Sequence, residues 1–444
     1  TGFLLPNRLF LQTTAGQFIV SPMSSQLDPD SNCGTTAAAD YNNDGWPDVY
    51  LACAGNNHLF RNDQGAGFTD VTDELQVNHA GNSEAVAWGD INQDGVLDLF
   101  VGAYPASSTP DLNDPANLDQ LWLSQPDGSY QNIAPLLDAE TRARTALTAQ
   151  FLDIDNDGDL DLYVVNDKLD GNSLWRNNGP GCDGWCLTDI AVATGADRPV
   201  FGMGIAAGDI DHDGDLDLYF SSINEQVLLR NDLDQGSLGF TEISTAAGLN
   251  FDAIGWATHF ADFNNDGELD AYLATGNTDY PLNTDRVYRS DGDGWFEDIS
   301  VASNASNPER THGASQWDYD RDGRQDLVVC NNNVDYRLYR NVTAEHGNWI
   351  ELQLDGAASD INRDAIGSRI TLSDDHGSIQ LREVASGQAR GGNSSLTQHF
   401  GLGAATHVSV KIQWPDGRVD SHSLDANQTY HIFYAEQLLQ DGFE

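Results

Sequence analysis

Six short stretches of this sequence have the composition of a cation-binding loop. The fullest is Asp153-Ile154-Asp155-Asn156-Asp157-Gly158-Asp159-Leu160-Asp161. Carboxylates at positions 1, 3, 5 and 9 allow a short loop to fold its oxygens round one hard cation, and glycine at position 6 takes the turn that a side chain would obstruct. The position 7 carbonyl and water would bring the shell to about six or seven oxygens, which is calcium chemistry. The expected ligands here are Asp153, Asp155, Asp157 and Asp161. The same spacing gives Asp40, Asn42, Asp44 and Asp48; Asp90, Asn92, Asp94 and Asp98; and Asp209, Asp211, Asp213 and Asp217. It recurs at Asp262, Asn264, Asp266 and Asp270, and at Asp318, Asp320, Asp322 and Asp326. No glutamate stands at position 12 and the flanks read as strands, which excludes the helical EF-hand. Without metal, carboxylates this close repel by roughly 4 kcal/mol per pair at an effective dielectric of about 20. About six structural Ca2+ ions are therefore expected, with binding energy converted into folding energy.

The elements that position these loops repeat with them. The first aspartates fall at 40, 90, 153, 209, 262 and 318, a period that suggests the four-stranded blades of a β-propeller. Within a unit, a small-residue strand such as 201–208 enters the loop and an apolar strand such as 216–220 leaves it. A third strand carries Leu-x-Arg-Asn (228–231) and a fourth Gly-Phe-Thr-Glu (239–242). The chain starts in mid-repeat, since Asn7-Arg8-Leu9-Phe10 and Gln17-Phe18-Ile19-Val20 match third and fourth strands. An insertion, Tyr104 to Asp119, lengthens the second unit and reads as a solvated loop or a ligand contact.

Two positions before each first aspartate stand Ala38, Trp88, Phe151, Ala207, Phe260 and Gln316, a mostly apolar row expected to face the next blade. Alternation puts the residues three and five before it on the other face, expected to line the axial channel. Gln150 and His259 are the bulky members of that row. With His312 and Trp256, six positions before their aspartates, they are the candidates for holding a polar ligand or moving a proton. Gly-x-Ser-x-Gly, phosphate-cradling and zinc-protease motifs are absent from the sequence. Arg142, Arg144, Arg198 and Arg310 are candidate contacts to an acidic sugar, against the plainer reading of surface ion pairs.

The formal net charge is -48, and 13 of the 69 acids are Glu, so short carboxylates dominate. Six calcium ions would supply 12 positive charges and leave the surface strongly acidic, which argues against nucleic acid or anionic membrane as partner. No apolar run reaches the roughly 18 residues of a membrane helix. The N-terminus lacks a signal segment, so Thr1 reads as the start of a mature or trimmed chain. Cys33 with Cys53, and Cys182 with Cys186, are candidate disulfides, leaving Cys330 buried and single; this favours an oxidising compartment.

After Asn341 the period stops. Strands are expected at 349–354, 368–372, 379–384, 408–414 and 430–433, with a tight turn at Pro415-Asp416-Gly417-Arg418. The domain reading is a propeller over 1–343, a small β-sandwich-like domain over 344–436 and a tail over 437–444.

The six loops with their Leu-x-Arg-Asn and Gly-x-Phe strands resemble FG-GAP/VCBS repeats, the blades of integrin-like propellers. The C-terminal part, with Asn362-Arg-Asp-Ala-Ile-Gly-Ser-Arg369, Arg382-Glu-Val384, His399-Phe-Gly-Leu-Gly403 and Trp414-Pro-Asp-Gly-Arg418, resembles an ASPIC/UnbV domain. The pairing is similar to the secreted cartilage acidic protein family and its bacterial relatives. That resemblance implies an all-β, seven-bladed, calcium-stabilised extracellular propeller, so seven blades are favoured with six as the alternative; since six loops carry the pattern, a seventh blade would lack calcium and be assembled from the N-terminal half-repeat plus later strands. Arg363, Asp364, Arg382, Glu383 and His399 belong to its pattern and read as an internal polar network holding turns. The expected function is a secreted (extracellular, periplasmic or cell-surface) module binding carbohydrate or an extracellular protein. The alternative is a lyase, hydrolase or cyclase using the axial cavity, with His259 as acid or base.

Overall fold

The computed structural model describes residues 7–14, 16–29, 32–107, 109–182, 184–233, 237–276, 284–332, 336–344, 346–356, 360–387, 390, 393–434 and 439–440. The chain is an all-β propeller followed by two further sheets. Five four-stranded antiparallel meanders form blades 1 to 5, over residues 32–70, 83–132, 146–189, 205–242 and 255–298. Blade 6, over residues 311–339, has three described strands. In each blade the Asp-rich loop joins the first strand to the second, so every loop emerges on the same face. One-turn helices such as Thr72–Leu75 and Ser244–Ala247 follow most fourth strands, an element that a four-residue pattern does not announce.

Blades pack face to face through side chains that alternate along their inner strands. The row two before the aspartate faces the preceding blade, not the next one as expected. Trp88 meets Tyr41 and Tyr50 of blade 1, Phe151 lies on Gly89 of blade 2, and Phe260 packs on Tyr219 of blade 4. Facing the next blade is an aromatic two residues after the position 9 aspartate, at Tyr50, Phe100, Tyr163, Tyr219 and Tyr272, all essentially fully buried. Val328 takes that place in blade 6.

The N-terminal strands Phe10–Thr14 and Gln17–Val20 form a two-stranded sheet of their own. It lies between blades 6 and 1, with Phe10 on Tyr336 and Phe18 on Tyr319. No later strand joins it among the described residues, so the expected assembly of a seventh blade from later strands does not occur.

The described strands between residues 348 and 440 form two sheets, ordered Gln398–Gly403, Asn348–Asp355, Gln428–Phe433, Leu439–Gln440 and Ile379–Glu383, Arg369–Asp374, His407–Gln413, Val419–Asp425. Ile350, Leu352, Ile370, Leu372, Val410, Ile412 and Ile432 are buried between them, and the same core continues into Trp88 and Tyr50 of the propeller. Cys33–Cys53 and Cys182–Cys186 are disulfides. Cys330, expected to be buried, is half-buried and single.

Candidate metal centres and the axial channel

The six loops share one backbone geometry. The position 1 carboxylate accepts the N–H of the position 6 glycine: Asp40 from Gly45 at 2.6 Å, Asp90 from Gly95 at 2.9 Å, Asp153 from Gly158 at 3.2 Å. The same bond joins Asp209 to Gly214 at 3.3 Å, Asp262 to Gly267 at 2.8 Å and Asp318 to Gly323 at 2.6 Å. Gly323 has φ +82°, and a Cβ there would also strike the Trp349 ring at 1.9 Å. Only glycine meets both demands.

The position 9 aspartate lies under each loop and ties it to the third strand. Asp48 accepts from Asn62 N–H at 2.7 Å, Asp161 from Asn177 at 2.7 Å and Asp217 from Asn231 at 2.8 Å. The amides of Asn177, Asn231 and Asn341 then donate to Ile91, Ile154 and Phe263 carbonyls in the preceding blade's loop. The Asn of the Leu-x-Arg-Asn signature is therefore an interblade link, a role that its recurrence signals but that no local pattern explains.

These carboxylates are arranged for a cation. Asp153, Asp155 and Asp157 each bring an oxygen within 4.8 Å of the others, as do Asp209, Asp211 and Asp217, and Asp318, Asp320 and Asp326. In the other three loops Asn42, Asn92 and Asn264 supply amide oxygen at position 3 in place of carboxylate. Among the described residues, buried oxygens of Asp48, Asp153, Asp155, Asp161, Asp209, Asp211 and Asp320 have no hydrogen-bond donor, a heavy penalty unless a cation takes them. Burial pushes the carboxyls of Asp48, Asp90, Asp262 and Asp326 up to about 7. It pushes Asp98, Asp161, Asp217 and Asp270 well above the ordinary range. The donor set is all oxygen, mixed charge and loop-borne, which fits Ca2+.

Position 4, unassigned by the sequence pattern, links the loops to one another. Asn43, Gln93, Asn156, His212, Asn265 and Arg321 all have φ between 56 and 61°, and this left-handed turn aims the side chain sideways. Asn43 donates to Gly95 O at 2.8 Å, Gln93 to Gly158 O at 2.8 Å, Asn156 to Gly214 O at 3.3 Å and Asn265 to Gly323 O at 2.9 Å. His212 meets Glu268 at 2.6 Å. Each loop thus holds the next, from the first to the sixth.

The C-terminal sheets sit on this face. Asp364 accepts Asp40 N–H at 2.7 Å and Arg363 N–H donates to Asn43 at 2.8 Å. Arg369 donates to Asp153 at 3.3 Å and to Gly214 O at 2.8 Å, while Glu383 accepts Asp153 N–H at 3.2 Å. His399 lies 3.2 Å from Gly323 O, and burial pushes its imidazole down to about 4. These residues were expected to form a network internal to the C-terminal part; apart from Arg382, they dock it onto the loops.

From the C-terminal part, Gly387, Arg390, Asn393 and Ser394 reach the axial channel. Gly387 O accepts from Thr148, Asn393 O from Ser315, and Ser394 reaches Gln316 N–H. Arg390 pairs with Glu84 at 3.0 Å and lies over the Trp256 ring at 4.6 Å. His259 is 2% exposed, with Nε2 2.9 Å from Ala314 O and Nδ1 3.4 Å from Ser394 Oγ. Burial pushes its imidazole down to about 4. Gln150 is buried on a 70 Å³ cavity that it shares with Gln316, Arg382, Glu383 and His399 and that His259 does not line. His312 is stacked on Trp256 at 4.2 Å near Arg390. Arg142 donates to Asp119 O and Arg144 to Asn172 O, which makes both structural. The insertion packs against blade 3, with Tyr104 donating to Asp167 at 2.6 Å and Lys168 to Pro105 O at 2.9 Å.

Comparison with known proteins agrees with this architecture. The FG-GAP-like repeat model matches residues 40–101, 153–220 and 262–329, which take in all six loops, and the ASPIC and UnbV model matches 358–438. Cartilage acidic protein 1 of Homo sapiens is 25% identical over 296 residues, covering 63% of this chain and 43% of that protein. The Mus musculus protein is 25% identical over 289 residues, covering 62% and 43%. The chain thus spans less than half the length of the curated relatives it matches. Among solved structures, an Agrocybe aegerita lectin that recognises non-reducing terminal N-acetylglucosamine aligns with TM-score 0.44 and 16% identity, over 77% of this chain and 89% of that one. The Dos1 propeller aligns with TM-score 0.30 and 10% identity, over 78% and 84%. The chain is an FG-GAP-repeat β-propeller carrying an ASPIC and UnbV domain, similar to the cartilage acidic proteins.

Proposed function

We infer that this chain is a secreted, calcium-binding propeller that acts as a carbohydrate-binding module through the face opposite its loops. The observation that carries this reading is the arrangement round the channel: the C-terminal sheets cover the loop face and Arg390 occupies the bore, so the far mouth is the open end. Tyr104, Trp256, His312 and Arg390 gather there, aromatic surface beside hydrogen-bond donors, which suits a sugar ring and its hydroxyls. Calcium in this reading is structural: Asp, Asn and carbonyl oxygens of each loop hold it, and it pins first strand to second. The two disulfides favour an extracellular setting. No helix among the described residues is long and apolar enough to cross a membrane.

An enzyme working through His259 would need substrate to reach a side chain that is 2% exposed and covered by Ser394. Glycan-array binding with Trp256→Ala as control tests the carbohydrate reading. Saturable binding lost in the variant supports it. Binding only to an extracellular protein, or none to any glycan, overturns it.

A further inference from the structure

Each first strand runs from the far mouth to its loop, and its beginning is as regular as its end. Six positions before the loop aspartates stand Gly34, Glu84, Leu147, Met203, Trp256 and His312. In blades 1, 2, 3, 5 and 6 the pairing of first strand with second slips at this position: between Cys33 and Thr35, Ser83 and Ala85, Ala146 and Thr148, Gly255 and Thr258, and Thr311 and Gly313. A bulge re-aims the side chain that it carries. Here it brings Glu84 of blade 2 and Trp256 of blade 5 to one partner: Arg390 donates to Glu84 at 3.0 Å and lies 4.6 Å over the Trp256 ring. His312 stacks on Trp256 at 4.2 Å. Leu147 and Met203 are buried, so Glu84, Trp256 and His312 are the polar side of the row.

Arg310 precedes His312 by two residues, at the same end of blade 6. Burial first, and then the charges of Arg390 and Arg310, push the His312 imidazole down to about 4, so it is neutral at neutral pH and both guanidinium groups lie near it. The acids round Arg310 are committed elsewhere. Glu84 pairs with Arg390, Glu309 pairs with Arg337 at 3.4 Å, and Asp285 accepts from the Tyr272 and Thr311 hydroxyls. Among the described residues Arg310 has no ion pair and no side-chain hydrogen bond, and the Nε atoms of Arg310 and Arg390 are buried without an acceptor. Yet this chain carries 69 acids against 21 Lys and Arg, and arginines such as Arg61, Arg230 and Arg289 sit on carboxylates. A half-buried guanidinium has given up part of its hydration, and at this mouth no protein group compensates.

We propose that the far mouth takes the anionic end of a sugar chain, one residue bearing a single carboxylate or sulfate, with that group on Arg310 and the sugar ring against the Trp256–His312 pair. This rests on the carbohydrate reading of the same mouth and narrows it. A guanidinium presents parallel N–H donors that match the oxygens of such an anion, and the bond is charge-assisted. Neutral His312 adds a hydrogen bond for a ring hydroxyl. A neutral sugar would leave Arg310 unpaired. The formal charge of -48 repels a polyanion laid along the surface, so a lone anion at the end of a neutral chain reaches the mouth where a repeating one does not.

The probe is a trisaccharide ending in glucuronic acid, set beside its methyl ester, which keeps the ring and loses the charge, a glucose-ended trisaccharide and its 6-sulfate. Titration calorimetry of the full chain in calcium buffer should show one site, with the uronate or the sulfate at least about tenfold tighter than the ester and the neutral sugar; the tighter of the two anions identifies the group. Arg310→Gln should erase that preference and Arg310→Lys should keep part of it. Arg230→Gln, which removes the same charge elsewhere, should leave it intact. The comparison of acid with ester needs no variant, so it stands even where Arg310→Gln fails to fold. Equal affinity for acid, sulfate, ester and neutral sugar overturns this inference and leaves the carbohydrate reading in place, whereas no binding by any of the four overturns both. Equal loss in Arg230→Gln, equal displacement by acetate alone, or tighter binding of polygalacturonate per site also overturns it.

Discussion

Asp364 accepts the backbone N–H of Asp40 at 2.7 Å, although 324 residues separate them. The backbone N–H of the first residue of the first loop is thereby held by the C-terminal part, while its carboxylate accepts from its own loop. Asp364→Ala would leave a buried donor without partner, a loss of about 1–3 kcal/mol. Asp364→Asn keeps an acceptor oxygen and should lose far less. Denaturant melts of the two variants check this; equal destabilisation would mean that the carboxylate charge matters and not the bond.

Chelation at neutral pH should lower the melting temperature by tens of degrees, because the loops bury carboxylate oxygens that no donor satisfies. Calorimetry with and without chelator checks it, and an unchanged melt rejects the structural role of calcium. Asp155→Asn, in one of the three-acid clusters, should weaken calcium binding at that loop and lower the melt in limiting calcium.

Burial pushes His259 and His312 down to about 4, against an unfolded value near 6.5. Between those values the unfolded chain binds more protons, so both residues contribute stability that is full above about 6.5 and lost as pH falls towards 4. The loss reaches roughly 3 kcal/mol for the fully buried His259. His259→Gln keeps a donor for Ala314 O and should flatten the pH dependence in that window. Stability differences between parent and variant at matched calcium measure it, and parallel pH curves would rule it out.

Gly387 has φ +91°, and a Cβ there would lie 2.4 Å from Ala149 O and 2.8 Å from Ala87 Cβ. Gly387→Ala should cost about 1–3 kcal/mol and work Gly387 and Arg390 loose from the channel. Trypsin then has access to Arg390, which is 5% exposed in the native fold. Appearance of that cut at a rate above the parent's checks this; resistance equal to the parent's would show that Arg390 stays seated.

Much of the propeller was legible because chelation is local: oxygens round one ion need fixed spacing, and that spacing survives in the sequence as Asp153 to Asp161 and its five repeats. Alternation gave the C-terminal strands for the same reason, since a two-residue period is written into neighbouring residues. What stayed hidden is what the third dimension decides. Alternation separates Trp88 from Ala87 without saying which neighbour each meets, because blade order round the ring sets that. Position 4 carries Asn, Gln, His and Arg, with no shared chemistry to notice; its common feature is a backbone angle. Glu383 and Asp153 are 230 residues apart, and nothing near either one signals the other.

The Cys33–Cys53 bridge joins the two inner strands of blade 1, across directly opposed residues. Blade 1 also borders an apolar cavity of about 560 Å³, with Val49 and Leu51 on its side and Trp317, Val328 and Cys330 of blade 6 on the other. A row of stacked plates frays from its uncovered end, and here that end carries a covalent hem. The bond sits where stacking is thinnest, so reduction should be felt first at the margin of that cavity, well before the middle of the stack loosens.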